Sequence, residues 1–301
     1  MKFSIVTPVY NGEKYIAETI ESVLSQAGDF EIEYIVADGG SSDGTVEILK
    51  SYEDRLKNRR CPVNCKRIDF KYFSNKDRGM YDAIQKGFAN STGEIMAYLN
   101  ADDIYRPGAF KTVASILETF PEVEWLKGRH ARIQENGTLI SEGPCFLYDQ
   151  EWLRKGIYGH YAYFVQQETV FWKRTLWQKA HPPIPSFKLA GDYLLWKTFA
   201  GYAPLWSFNK TAAAFRIRKG QLSSEMEPYR QEQRMIEPAH PVLGRRIMLF
   251  FAIQRFLNLN PRGFVMSTLS IIFFPLQKPL WYIDFDQENH PLKKKTRLYI
   301  A

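Results

Sequence analysis

Short apolar runs alternate with helix-spaced apolar positions through the first part of the chain. Phe3 to Thr7 reads as a buried strand stopped at Pro8. Asn11-Gly12 then opens a helix whose Ile16, Ile20, Val23 and Leu24 recur on one face. Ile32 to Ala37 reads as a second strand closed by Asp38-Gly39-Gly40, and Ser42 is placed to cap a helix burying Val46 and Leu49. After a basic, weakly patterned loop over 53–66, strand-like sequence resumes at Ile68 to Phe73. Met80, Ile84 and Phe88 mark a helix face, Ile95 to Leu99 a further strand, and Pro107 the first turn of a helix carrying Phe110, Val113 and Leu117. From Trp125 to Tyr163 the pattern is irregular, with turn signals at Asn136-Gly137 and Glu142-Gly143, and a helix-like block follows at 190–196.

Strands separated by helices at this spacing predict an α/β fold, a mostly parallel sheet covered on both faces, with ligands beyond the carboxyl ends of its strands. Those ends deliver Thr7-Pro8-Val9-Tyr10-Asn11, Asp38 and Asn100-Ala101-Asp102-Asp103, so strand exits remote in sequence share one polar, acidic rim.

Composition changes this picture in two places. The formal charge is +7, yet Pro241–Ala301 holds nine Lys or Arg against three acids, leaving residues 1–240 nearly neutral. The basic character therefore belongs to the tail and not to the sheet, which argues against nucleic acid as a partner. Three cysteines, Cys61, Cys65 and Cys145, are too few for a disulfide framework, and the C-x3-C pair has no second pair at zinc spacing, so reduced thiols are expected. The N-terminus reads as the first strand rather than a signal peptide, and cytoplasmic residence is expected.

Candidate chemistry begins with Asp102 and Asp103 at the mouth of the sheet. Carboxylates there suit Mg²⁺ or Mn²⁺ bridged to a diphosphate, although either Asp could simply cap the following helix. Asp38 with Ser41, Ser42 and Asp43 could accept hydrogen bonds from a ribose or base, or form an ordinary turn and cap. Arg78 could neutralise phosphate, while Asp82 and Lys86 form an i,i+4 pair.

Taken together the segments resemble family-2 glycosyltransferases of the GT-A fold. Those segments are T-P-V-Y-N-G (7–12), V-A-D-G-G-S-S-D-G-T (36–45), D-R-G-M-Y-D-A-I-Q-K-G (77–87), L-N-A-D-D (99–103), Q-Q-E-T-V-F-W-K-R (166–174), L-A-G-D-Y-L-L-W (189–196) and F-R-I-R-K-G-Q-L-S (215–223). The resemblance covers about residues 1–225, expected as the GT-A domain, with 226–301 as a helical, apolar-basic extension. It implies an inverting, metal-dependent transferase acting on a UDP- or GDP-linked sugar, in polysaccharide or glycoconjugate biosynthesis. By position, Thr7, Pro8, Tyr10, Glu13, Asp38, Asp77, Arg78 and Asp102 would bind nucleotide, and Asp102 with Asp103 would hold Mg²⁺ or Mn²⁺. Asn100 stands where the family's first D-x-D carboxylate belongs, which lowers the local negative charge. Asp192 matches the catalytic base, and Gln167, Glu168, Trp172 and Arg216 would line the acceptor or donor-phosphate side. The alternative is a catalytically silent sugar-nucleotide-binding scaffold. A nucleotidyltransferase would need a Gly-rich, Arg/Lys-bearing loop after the first strand, where this chain has T-P-V-Y-N-G.

The tail segments 245–257 and 264–276 are strongly apolar but too short to span a bilayer. With Trp281, Tyr282 and Lys293-Lys294-Lys295 they are expected to lie on the inner face of the cytoplasmic membrane, near a lipid-linked acceptor, or else to pack as helices against the catalytic domain or form a dimer contact.

Overall fold

The computed structural model describes residues 1–221, 226–238, 240–260, 264–274 and 279–296. The first expected units form as β1 (Lys2–Val9), α1 (Ile16–Leu24), β2 (Gly28–Asp38), α2 (Thr45–Lys57), β3 (Cys65–Ser74), α3 (Met80–Ala89) and β4 (Ile95–Tyr98). Next come a two-residue strand β5 (Ile104–Tyr105) and α4 (Ala109–Thr119). The irregular stretch contains β6 (Trp125–Ile133), β7 (Leu139–Glu142) and α5 (Gln150–Arg154), followed by β8 (Val170–Lys173), α6 (Arg174–Ala180), α7 (Gly191–Ala200) and β9 (Trp206–Arg216). Helices α8 (Met226–Ile236), α9 (Pro241–Phe256) and α10 (Phe264–Phe273) lead to the hairpin β10 (Leu280–Phe285) and β11 (Pro291–Thr296).

The strand order is β11-β10-β9-β6-β8-β4-β1-β2-β3, with β5 on β9 and β7 on β6. Along that path every strand runs one way except β8 and β11, so the sheet is mostly parallel. Apolar layers cover both faces. One packs Phe110, Val113 and Ile20 on Phe3 and Ile32, and the other packs Ile84, Phe88, Trp196 and Phe199 on Val6 and Trp172. This is the GT-A arrangement, with helices on either side of the sheet.

Three local expectations change. Ser42 does not cap α2: Gly44 N–H donates to Glu13 Oε2 at 2.7 Å and Thr45 N–H to Asp43 Oδ1 at 3.0 Å. That helix buries Thr45, Leu49 and Tyr52 rather than Val46. The segment Trp125–Ile133 is a central strand despite four basic or imidazole side chains, because Lys127 is itself buried. Its Nζ donates to Gln166 Oε1 at 2.9 Å and lies 5.3 Å from the Tyr148 ring, and burial pulls its pKa down to about 8.

The tail adds strands to the expected helices and packs on the domain. Trp281, Tyr282 and the three lysines belong to β10–β11, which extends the sheet from β9. Lys293 pairs with Glu122, Lys294 with Asp284 at 2.6 Å, and Lys295 lies 4.2 Å from the Trp281 ring. Ile247, Phe250, Met266 and Phe274 are buried in the main core. Arg262, Lys278 and Arg297 lie outside the described residues. Among those residues no helix is long and apolar enough to cross a membrane.

One buried carboxylate ties the parallel half together. Glu33 of β2 accepts from Ser4 Oγ at 2.6 Å, Thr92 N–H at 2.6 Å and Lys71 Nζ at 3.2 Å. Burial alone would raise its pKa, but these bonds hold it near 2 instead of 4.5. A depressed carboxylate stabilises fully above its unfolded value and loses that contribution as pH falls through the folded one. Glu33→Gln is therefore expected to cost on the order of 2 kcal/mol at neutral pH. Its deficit should shrink in thermal melts taken from pH 4.5 toward 2. A deficit constant across that range would remove Glu33 from this role.

Candidate active site

The strand exits meet as the sequence implies, bound largely to one another. Asp38 is buried, and its Oδ2 accepts from Gly40 N–H, Ser41 N–H and, at 2.5 Å, Ser74 Oγ. Ser41 Oγ in turn accepts from Asn11 N–H, and Ser42 N–H donates to Asn11 Oδ1, so the loops after β1 and β2 are stitched together. Glu13 belongs to that stitching through Gly44. Thr7 faces the core, accepting from Tyr34 Oη at 3.0 Å, and Pro8 is buried beside it. Tyr10, by contrast, is 67% exposed at the exit of β1.

Asp77 leans over the Asp38 turn. A Cβ on Gly39 would stand 2.7 Å from Asp77 Oδ2, so only glycine leaves room there. Asp77 Oδ1 also accepts from Gly79 N–H at 2.8 Å, and Gly79 has φ +124, a backbone state that suits glycine at the entry to α3. Arg78 is largely exposed and bonds Asp82 Oδ1 at 2.8 Å, with Lys86 2.9 Å from the same carboxylate. These two cations hold the Asp82 carboxyl well below its ordinary range.

At the β4 exit the two aspartates part company. Asp102 Oδ2 accepts from Arg218 Nε at 2.5 Å and keeps partial exposure. Asp103, expected beside it as a metal ligand, turns inward: it is 1% exposed and its Oδ1 accepts from Arg216 N–H at 2.9 Å. Burial, with the charges of Asp102 and Glu168, pushes its pKa well above the ordinary value. Turned inward behind the rim, it is placed less well than Asp102 to reach a cation at the strand exit.

Arg216, expected to reach donor phosphate, is fully committed elsewhere. Its Nε donates to Asp102 O at 2.8 Å, its NH1 to Gln134 O at 3.3 Å and Glu135 O at 2.8 Å, and its NH2 to Glu18 Oε2 at 2.5 Å. Arg218, two residues on and therefore on the same side of an extended chain, is the cation on the rim. The R-I-R alternation carried that signal. Trp172 is fully buried core, stacked on Trp177, edge-on to Phe88 and tilted against Phe199. Gln167 Nε2 donates to Tyr98 O at 2.7 Å, and Glu168 is buried with Oε1 unpartnered, its pKa raised by burial to about 7.

Asp192 lies in the first turn of α7, on a separate cavity lined by Tyr158, Phe164, Tyr193, Trp196 and Tyr229. A helix N-terminus favours a carboxylate, yet burial prevails and raises Asp192 from 3.8 to about 6. Tyr81 of α3 lies beside Asp192. It follows Gly79 on α3, its hydroxyl donates to Leu189 O at 3.0 Å, and its ring would stand 2.7 Å from a Cβ on Gly191. The G-D pair at the start of α7 is thereby explained.

The donor set suits a small divalent cation without forming a closed cage. Asn100 Oδ1 is buried with no partner, and Asp102 supplies one carboxylate at the same exit. Mg²⁺ and Mn²⁺ sites of this kind take few protein oxygens and complete themselves on water and phosphate. Among the described residues no group of three or more His, Cys, Asp or Glu side chains gathers for a metal.

A mostly parallel sheet whose strand exits gather polar and acidic side chains on one rim, beside a cavity that holds Asp192, is the GT-A architecture. Residues 4–174 match the model of glycosyl transferase family 2, and the chain belongs to that family. An uncharacterized glycosyltransferase of Rickettsia typhi is 25% identical over 287 residues, covering 89% of this chain and 86% of that protein. The crystal structure of S. aureus TarS 1–349 in complex with UDP-GlcNAc has a TM-score of 0.58 at 18% identity, covering 89% of this chain and 76% of that one. The mannosyltransferase PcManGT from Pyrobaculum calidifontis, in complex with GDP-Man and Mn²⁺, has a TM-score of 0.50 at 15% identity, covering 86% and 64% respectively.

The two arginines should separate cleanly. Arg216→Lys keeps the charge but loses the fork, leaving buried carbonyls unpaired, and is expected to cost about 2–4 kcal/mol. Arg218→Ala should cost about 1 kcal/mol or less, as a half-buried pair with a single bond. Urea denaturation of both variants measures this, and equal losses would contradict the assignment.

Proposed function

We propose that the chain transfers a sugar from a UDP- or GDP-linked donor to an acceptor hydroxyl with inversion, Asp192 being the base. The carrying observation is that carboxylate, poised near pH 6 among the aromatic side chains of its cavity, with Tyr81 of α3 beside it. Complexes of structurally similar proteins with UDP-GlcNAc and with GDP-Man and Mn²⁺ support the donor class.

In this reading the acceptor hydroxyl gives its proton to Asp192 as its oxygen bonds to the anomeric carbon. The bond from that carbon to the donor phosphate breaks on the opposite face, and the nucleoside diphosphate leaves. Arg218 is the rim cation able to meet the phosphate charge, releasing Asp102 as it does so. Asp102 and the Asn100 amide oxygen would hold Mg²⁺ or Mn²⁺, which when bound supplies positive charge to the leaving diphosphate. Tyr10 is exposed where a nucleoside base would stack, and Asp38 shapes the turn that faces it through Ser41.

Residues 1–225 then act as the catalytic part, and 226–301 as an extension that contacts a membrane carrying a lipid-linked saccharide acceptor for polysaccharide assembly. Exposure on α9 and α10 supports this: Met248, Leu249 and Phe256 at helical spacing with Arg245 and Arg255, and Phe264, Ile271 and Ile272 beyond them. No acidic residue occurs from 238 to 283. An apolar face with charge of one sign is complementary to an anionic bilayer.

Asp192→Asn preserves volume and the oxygen that accepts from Tyr229, so folding should be unharmed while turnover falls by ~10²–10⁴-fold. In the wild type, kcat/KM should fall below an acid limb near pH 6, where Asp192 takes up its proton. UDP-GlcNAc and GDP-mannose turnover with Mn²⁺ is the assay. A variant that turns over at the wild-type rate would reduce Asp192 to a helix-capping role.

Because β10–β11 complete the sheet, the membrane contact is tested in the full chain. Phe256→Asp with Phe264→Asp alters side chains 88% and 86% exposed and should leave melting unchanged. Co-sedimentation with phosphatidylglycerol vesicles should fall at least about tenfold, in a salt-sensitive way. Equal sedimentation of the two proteins would discard the membrane face.

A further inference from the structure

Helix α8 lies beyond the residues that match the family, yet it holds the base from two sides. Its Tyr229, Glu232 and Gln233 share one face at helical spacing, while Glu227 and Arg234 pair with each other on the outside. Glu232 Oε2 accepts from Leu189 N–H and Ala190 N–H, both at 2.8 Å, and Oε1 from Lys188 N–H at 3.1 Å. Three successive amides leading into α7 are thus closed by one carboxylate from another helix. Tyr229 Oη donates to Asp192 Oδ1 at 3.1 Å, the oxygen that also accepts from Tyr193 N–H at 2.7 Å. Gln233 Nε2 bonds Tyr158 O, and the Tyr229 ring meets Phe164 edge-on at 5.7 Å, so α8 also seats the far wall of the cavity.

We propose that Tyr229 and Glu232 are positioning residues for the transfer reaction: Glu232 fixes the loop that presents Asp192, and the Tyr229 hydroxyl occupies Oδ1, leaving Oδ2 to take the acceptor proton. This rests on Asp192 being the base. Without α8 that carboxylate would lose its Tyr229 donor and keep only the local amide bond and the Tyr81 hydroxyl beside it.

The charged and titratable groups around Asp192 make the Tyr229 contact consequential. From α3 comes Tyr81, from β4 Tyr98, and from α7 Tyr193 and Lys197; α8 adds Tyr229 and Glu232, and Glu168 acts from farther off. Lys197 is 3.2 Å from Glu237, and the tyrosines are held neutral by burial. The ionised base is therefore supported by neutral hydroxyl and amide donors, and among the described residues no cation pairs with it. Removing one such donor disfavours the charged form.

Tyr229→Phe deletes the hydroxyl and keeps the ring. With ¹³C-carboxyl-labelled aspartate, the Asp192 resonance is identified as the one lost in Asp192→Asn and titrated directly. In Tyr229→Phe its midpoint should rise by about one pH unit. The acid limb for UDP-GlcNAc or GDP-mannose turnover should move with it, so that activity lost at pH 7 recovers at higher pH. Glu232→Ala, which spares the hydroxyl, should free the amides of 188–190 to exchange with solvent and lower kcat at every pH without moving the limb. A Tyr229→Phe midpoint unchanged from wild type, or amides still protected in Glu232→Ala, would overturn the proposal. Full activity in Asp192→Asn would instead overturn the base reading on which it rests.

Discussion

Everything at the rim depends on one buried guanidinium. Arg216 at the end of β9 has no exposed side-chain surface, and it spends its donors on Asp102 O, Gln134 O, Glu135 O and the Glu18 carboxylate. Its own amide reaches Asp103, and its guanidinium lies 5.2 Å from the Tyr15 ring. These partners come from α1, the β4 exit and the loop after β6. A guanidinium forced out of water must find acceptors for its fork, and here the acceptors are the loops that define the site. The single fork thereby fixes where Asp102 stands and leaves Arg218, one alternation further out, as the cation available on the rim.

The parallel half of the fold was legible because its strands are uninterrupted apolar runs and its helices keep one apolar face. The strand exits were legible for the same reason, since a parallel sheet covered on both sides gathers them at one edge. The strand β6 was not, because Lys127, Arg129, His130 and Arg132 make it read as a surface loop. Only the structure reveals that Lys127 is enclosed by Gln166 and two aromatic rings. The same failure, reversed, hid the tail hairpin: Lys293-Lys294-Lys295 looks like a solvated run, whereas each lysine has an acidic or aromatic partner.

Site roles were harder to read than site positions. Residue type placed Asp102, Asp103, Trp172 and Arg216 together as candidates, but burial divides them. Trp172 and Arg216 belong to the framework, and Asp103 is buried behind the rim. Glu232 could not be found from sequence at all, because its partners are backbone amides 42 to 44 positions away. The cost of keeping Asp192, Glu168 and Lys127 out of water falls within one region of the molecule, where burial moves each group toward neutral pH. Such convergence is the pattern expected of a site that moves protons.

The central claim, inverting transfer with Asp192 receiving the proton, is tested most directly by the stereochemistry of the product. Proton NMR on the first turnovers of an α-linked nucleotide sugar with Mg²⁺, water serving as acceptor, reads the anomeric configuration before mutarotation. The account predicts that the sugar appears first as the β-anomer. First appearance of the α-anomer would contradict it.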